Sequence, residues 1–335
     1  MISLGDARMA ETTITIRGVD SKLWKEFQTG IVSIHGNLYG NIGLEASNAL
    51  KLWLEQYHGM ESAVSVPPDR ISVSYNDIGG LKEEIKMIKE AVEMPLKHPE
   101  LFRWLNLLPP RGVLIHGPPG TGKNLLARAA TAEAGAWLYV LSIQKIIGEI
   151  NEERFRAVFQ KAKETAPSVI LIPDLAFIAN NCQKAWGDPA DQILSWLLSE
   201  MDALEDFGRV ILVAIASSPE QLDPSLKRKF GREIDVSFPD RQGRYEILKI
   251  LSKKMPLEDD VDLGKLADLT DRREGVFLWR LCQEAATRVL RRALKQEGIT
   301  EDEVRQEKLE QIRVSMNDFL HALNSLESEA SNRDG

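Results

Sequence analysis

The sequence predicts an α/β protein. It reads as a five-stranded parallel sheet covered by helices, a helical block behind it, and a small strand–helix–helix unit in front. Five short apolar runs alternate with helix-patterned segments between residues 71 and 240. A glycine-rich loop joins one of these runs to a helix. Residues 241–325 then show helical periodicity alone.

The front unit covers residues 1–60. Thr12 to Val19 alternates, with Ile14 and Ile16 on one face and Thr13, Thr15 and Arg17 on the other, as in a half-buried strand. Asp20 caps a helix in which Leu23, Phe27, Ile31 and Ile34 recur at helical spacing. His35-Gly36-Asn37 breaks it, and a second helix runs from Ile42 to Tyr57. One strand and two helices cannot bury their own apolar faces, so this unit is expected to dimerise or to dock. Residues 61–70, with Ser62, Ser65, Pro67 and Pro68, read as a linker.

The large block, 71–240, has its strands near Gly112–His116, Trp137–Leu141, Ser168–Ile172, Val210–Ala216 and Glu233–Phe238. These runs are continuously apolar, as parallel strands covered on both faces should be. In the third block, 241–325, Leu278, Leu281, Cys282, Ala285 and Val289 form one stripe, and Val314, Phe319, Ala322 and Leu323 close the module. The polar end, 326–335, reads as a flexible tail.

Totals narrow the classes. The net charge of −8 argues against a general polyanion binder. Two cysteines, Cys182 and Cys282, offer no disulfide or metal framework, which fits a reducing compartment. No apolar run reaches the roughly 18 residues of a membrane span, and Met1 to Ala10 has neither the basic front nor the apolar middle of a secretion leader. A cytoplasmic protein is expected.

Gly117-Pro118-Pro119-Gly120-Thr121-Gly122-Lys123 carries the strongest chemical signal. It follows the strand Val113-Leu114-Ile115 and opens a helix from Leu125 to Ala134. Glycines let backbone N–H groups curl around phosphate oxygens, the helix N-terminus adds partial positive charge, and Lys123 adds a full one. Ser or Thr should follow the lysine to ligate Mg²⁺. Asn124 stands there instead, and its amide oxygen is the weak candidate ligand.

These residues lead to a resemblance. Tyr75-Asn76-Asp77-Ile78-Gly79-Gly80-Leu81, Val92 to Phe102, the phosphate loop, Leu197 to Asp202, Leu222-Asp223-Pro224, Phe230 to Ile234, Leu281 to Ala286 and Met316-Asn317-Asp318-Phe319 closely resemble the AAA ATPases of the valosin-containing-protein class. The resemblance covers nearly all of 71–325. It implies ATP or ADP bound at a subunit interface, with Asp77, Ile78 and Gly79 along the adenine and Pro118 to Leu125 around the phosphates. It also implies assembly as a ring, usually a hexamer, alone or with an active AAA partner.

The departures fall on hydrolysis. Where the family strand ends in Asp-Glu, Val169-Ile170-Leu171-Ile172 runs into Pro173-Asp174. Pro173 offers no carboxylate to a metal, and Asp174 is one methylene shorter than the water-activating acid. Ser217 replaces a sensor Asn. Of the two interface arginines, Arg232 matches one and Lys229 replaces the other. Leu251 replaces a His near the nucleotide, and Gly275-Val276-Phe277 replaces Gly-Ala-Asp. The substrate-gripping loop reads Lys145-Ile146-Ile147-Gly148 without its aromatic. Asp174 and Arg232 are the remaining catalytic candidates.

The front unit resembles a ribbon-helix-helix fold, in which Thr13, Thr15 and Arg17 would face DNA bases. Its residues 1–62 carry five basic and seven acidic side chains, poor in the cations that hold phosphates. Three functions therefore stand: a nucleotide-binding pseudo-ATPase serving assembly or regulation, a slow ATP-driven protein remodeller, and a DNA-binding regulator.

Overall fold

The computed structural model describes Thr29 and residues 63–143, 152–175, 188–204, 209–296 and 312–331. The chain divides into two units, Met1–Met60 and Glu61–Gly335. Thr13, Thr15 and Arg17 lie outside the described residues, as do Lys145 to Gly148.

The second unit is built on a six-stranded sheet: β1 (Ala63–Val66), β2 (Gly112–His116), β3 (Trp137–Leu141), β4 (Ser168–Ile172), β5 (Val210–Ala216) and β6 (Arg232–Asp235). Their order is β1-β3-β4-β5-β2-β6. Five strands are parallel, as expected, and four of these have the predicted limits. The sixth corrects the sequence reading. Residues 61–70 are not only a linker, because Ala63 to Val66 pairs antiparallel with Leu141 to Leu138 at the sheet edge. Pro67 and Pro68 end that strand, since proline offers no N–H to a ladder. β6 stops at Asp235, short of Phe238, ahead of Pro239; Phe238 is left exposed.

Alternation along the parallel strands feeds two cores. Leu114, Ile170 and Leu212 pack with Phe155 and Phe159 of α5 (Glu152–Glu164) and with Leu197 and Met201 of α6 (Asp188–Asp202). Val113, Ile115, Val169, Leu171 and Val213 point the other way. They meet Leu126, Ala127 and Ala130 of α4 (Lys123–Glu133), and Ile88 at the end of α1 (Lys82–Ile88). Each such fully buried side chain contributes about 1.5–3 kcal/mol of transfer free energy. The helical path from Lys82 to Lys97 widens into a π-turn at Lys89–Glu93 before α2 (Met94–Lys97). Pro95 cannot donate the bond a regular helix needs there.

Two short helices, α3 (Pro99–Trp104) and α7 (Pro224–Lys227), precede the second and sixth strands. Trp104 is 87% exposed and belongs to no core among the described residues. Trp196 meets Phe155 with ring centres 6.0 Å apart.

The lid comprises α8 (Arg241–Ser252), α9 (Leu263–Leu269), α10 (Gly275–Gln296) and α11 (Met316–Ser331). Asp240 caps α8 by accepting from Gly243 N at 2.7 Å, and Asp262 caps α9 through Lys265 N at 3.0 Å. The predicted stripe of Leu278, Leu281, Cys282, Ala285 and Val289 is buried against Phe319, Ala322 and Leu323. α11 continues to Ser331 with Leu326 buried in the same core, so a tail beginning at residue 326 is overturned. One more turn of the apolar face of α11 finds cover. Among the described residues, no helix is long and apolar enough to cross a membrane.

Candidate functional site

Parallel strands bring their C-terminal ends to one side of the sheet. There β2 runs into the phosphate loop, β5 into Ser217, and β4 into Pro173-Asp174. β5 lies between the other two.

The loop turns back on itself. Gly120 has φ +76°, a conformation side chains disfavour, and a Cβ there would lie 2.6 Å from Glu274 Cγ. Lys123 is buried and its Nζ donates to Gly117 O at 2.8 Å and to Pro118 O. Burial holds its ammonium below the usual lysine range. Thr121 Oγ1 donates to Pro118 O at 2.9 Å. Lys123 and Asn124 begin α4, whose N–H groups open toward the loop.

A cavity of about 630 Å³ lies beside it. One wall is the loop and first turn of α4: Gly120, Thr121, Gly122, Lys123, Asn124 and Leu125. A second wall is the strap Asp77, Ile78 and Gly79, with Leu81. The lid supplies the third, from α8 (Ile247, Ile250, Leu251) and the start of α10 (Gly275, Val276, Trp279). The size is that of a small-ligand site. Its polar side chains are at the loop and at Asp77; the lid wall is apolar. This fits a nucleotide, whose phosphates need N–H groups and cation and whose base needs an apolar slot.

Strap and lid are held together. Glu246 accepts from Gly80 N at 3.1 Å and from Lys82 Nζ at 2.7 Å. The Lys82 bond, opposed by some burial, keeps the Glu246 carboxyl below its ordinary value. A Cβ on Gly79 would meet Ile247 N at 2.6 Å, so glycine permits this approach. Asp77 lines the cavity, yet its carboxylate is committed to Ser74, accepting from N at 2.8 Å and Oγ at 3.0 Å. Those bonds hold its carboxyl low and fix the turn that presents Ile78 and Gly79. The loop meets the lid where Val276 N donates to Gly120 O at 3.2 Å.

Other expected residues stand apart. Pro118 and Pro119 shape the loop but do not line the cavity. Asp174 and Ser217 are exposed at the strand ends and are not in its walls. Ile172 is opposite Ala214, while Leu175 N already donates to Ile215 O at 2.8 Å. Pro173 and Asp174 therefore bulge from the ladder. Arg232 sits at the start of β6 abreast of Val113, at the other end of the strand from the loop, 3.9 Å from Glu90. It cannot serve its own chain's phosphate loop. Lys229 pairs with Asp202. Among the described residues, no group of three His, Cys, Asp or Glu is placed to hold a metal ion.

Leu81, Ile247, Ile250 and Trp279 were not expected in the site. Ile247, Ile250 and Leu251 sit at helical spacing, a pattern that reads equally as core.

Sheet order, phosphate loop and covering helices together define a P-loop nucleotide-binding domain. Residues 113–238 match the ATPase family associated with various cellular activities (AAA), and this part of the chain is an AAA domain. The chain is 44% identical over 264 residues to the cell division cycle protein 48 homolog of Archaeoglobus fulgidus, an alignment covering 77% of this chain and 36% of that one. It is 41% identical over 275 residues to protein SAV of Sulfolobus acidocaldarius (80% and 35%). It is also 41% identical over 264 residues to protein CdcH of Halobacterium salinarum (77% and 35%). The chain thus spans about a third of the length of these relatives.

Proposed function

We propose that this protein binds ATP or ADP and hydrolyses it poorly or not at all, nucleotide serving assembly or regulation. The supporting observation is a contrast within one site. The phosphate loop, strap and lid line one cavity, while β4 beside them runs into Pro173, where the resemblance puts a metal-side carboxylate. Phosphate binding depends on the loop's N–H groups and Lys123, all retained. Hydrolysis depends on groups that are altered. Losing a general base costs roughly 10²–10⁴ in rate, and losing an interface arginine roughly 10³–10⁵. Either takes a turnover of about 10 s⁻¹ to a negligible level. If Mg²⁺ accompanies the nucleotide, Asn124 and Asp174 are its candidate ligands, and the ion would neutralise phosphate charge.

Arg232 stands at the end of its strand opposite its own loop, so any contribution it makes is to a neighbouring copy or to an active AAA partner. This supports assembly.

The test measures ATP affinity and turnover with Lys123→Ala as control. Micromolar binding without turnover, abolished in the control, is expected. Turnover near 1 s⁻¹ that vanishes in Lys123→Ala would overturn the pseudo-ATPase reading. It would favour a second one, a slow ATP-driven protein remodeller. That alternative draws on Asp174, which the bulge after β4 carries at the correct end of the sheet.

A further inference from the structure

The apolar end of the cavity carries a feature that phosphate chemistry does not use. Among the described residues lining it, Trp279 alone is aromatic, and its side chain is 50% exposed. It lies three residues after Val276 on α10, so both project to the same side of the helix. A rise of about 1.5 Å per residue sets its α-carbon about 4.5 Å beyond that of Val276. Both ends of this geometry are fixed. Val276 N is bonded to Gly120 O at 3.2 Å, which ties the start of α10 to the phosphate loop. The strap is held just after Ile78 and Gly79 by the Glu246 bonds to Gly80 and Lys82, and at Gly79 by its close seat on Ile247. The α-carbon of Trp279 therefore stands at a set distance from the phosphate loop, and its side chain lines the apolar part of the cavity.

We propose that Trp279 is the base-contacting residue of this site, its indole packing against the nucleobase. The assignment rests on the nucleotide-binding reading above and adds which residue supplies base affinity. The side chains around it, Ile78, Leu81, Ile247, Ile250, Leu251 and Val276, carry no hydrogen-bonding group. Stacking is then the main side-chain contribution at this end, and it tolerates any base with a broad π-face. Purine nucleotides should bind alike and above pyrimidine nucleotides. Loss of the ring should flatten that order.

The experiment uses the full chain and three proteins: wild type, Trp279→Ala and Trp279→Phe. ATP, UTP and inorganic tripolyphosphate are titrated by calorimetry, and ATP is followed by tryptophan emission. Trp279→Ala should weaken ATP about 5- to 150-fold, the range of base–aromatic stacking. Tripolyphosphate affinity should stay within about twofold, and the preference for ATP over UTP should shrink. Trp279→Phe, which keeps a ring, should lose less and should lose the ATP-induced emission change. Equal losses for ATP and tripolyphosphate would mean a structural role and overturn the assignment. So would unchanged ATP affinity with a change in oligomer mass, which would make Trp279 a subunit contact. Equal ATP binding by wild type and Trp279→Ala overturns it while leaving the nucleotide reading intact. Failure of the wild type to bind ATP overturns both.

Discussion

Gly79→Ala tests whether strap and lid form one wall of the site. Gly79 does not require a left-handed conformation, so alanine adds only a methyl group. That methyl would lie 2.6 Å from Ile247 N and 2.8 Å from Glu246 C, both backbone atoms of α8. Restoring ordinary contact near 3.4 Å requires α8 to retreat by about 0.8 Å. No side-chain rotation absorbs this. Overpacking of this kind costs about 1–3 kcal/mol. If binding requires strap and lid in their observed places, ATP affinity falls about 5- to 150-fold. Calorimetric titration of ATP into wild type and Gly79→Ala measures it. Gly135→Ala is the control: φ is +62° with no atom within 4 Å of the new methyl, so it carries backbone strain away from the cavity. It should lower the melting temperature and leave affinity unchanged. Wild-type affinity in Gly79→Ala, within about twofold, would refute the shared wall.

Three further outcomes are expected. The carboxyl of Glu246 is held low chiefly by Lys82. Its stabilising contribution is therefore full above its unfolded value of about 4.3 and drains as pH falls through the lower folded value. Melting temperature followed from pH 6 to pH 3 should fall less steeply for Glu246→Gln than for wild type. Arg244, 4% exposed, donates to Ala267 O and Pro239 O at 3.0 Å each. Arg244→Met removes both bonds and leaves Ala267 O only the longer bond from Thr270 Oγ1 at 3.4 Å; at about 1–3 kcal/mol for a buried carbonyl that loses its donor, the lid should melt several degrees lower by calorimetry. Burial pushes the Cys282 thiol up to about 12, so in a Cys182→Ser background a thiol reagent should label it only after denaturant is added.

Much of the domain was legible from local chemistry. Four strands have the limits read from the sequence because buried parallel strands are continuous apolar runs bounded by polar or glycine-rich segments. The phosphate loop is a local device, since strand, turn and helix start are neighbours in the chain. β1 was missed because Ala63-Val64-Ser65-Val66 is short and followed by two prolines, and only pairing with β3 makes it a strand. Leu326 read as tail because a single apolar residue in a polar stretch has no visible partner until α10 packs against α11.

Sequence alone determined that a phosphate loop is present and that its lysine is kept. Tertiary structure decided what surrounds the loop. Gly80 and Glu246 are 166 positions apart, and their bond closes one wall of the cavity. Ile247, Ile250, Leu251 and Trp279 line it because the lid turns those faces inward. Periodicity shows that a helix has an apolar face but not whether that face meets a core or a ligand. Folding decides which, through contacts between segments far apart in the chain.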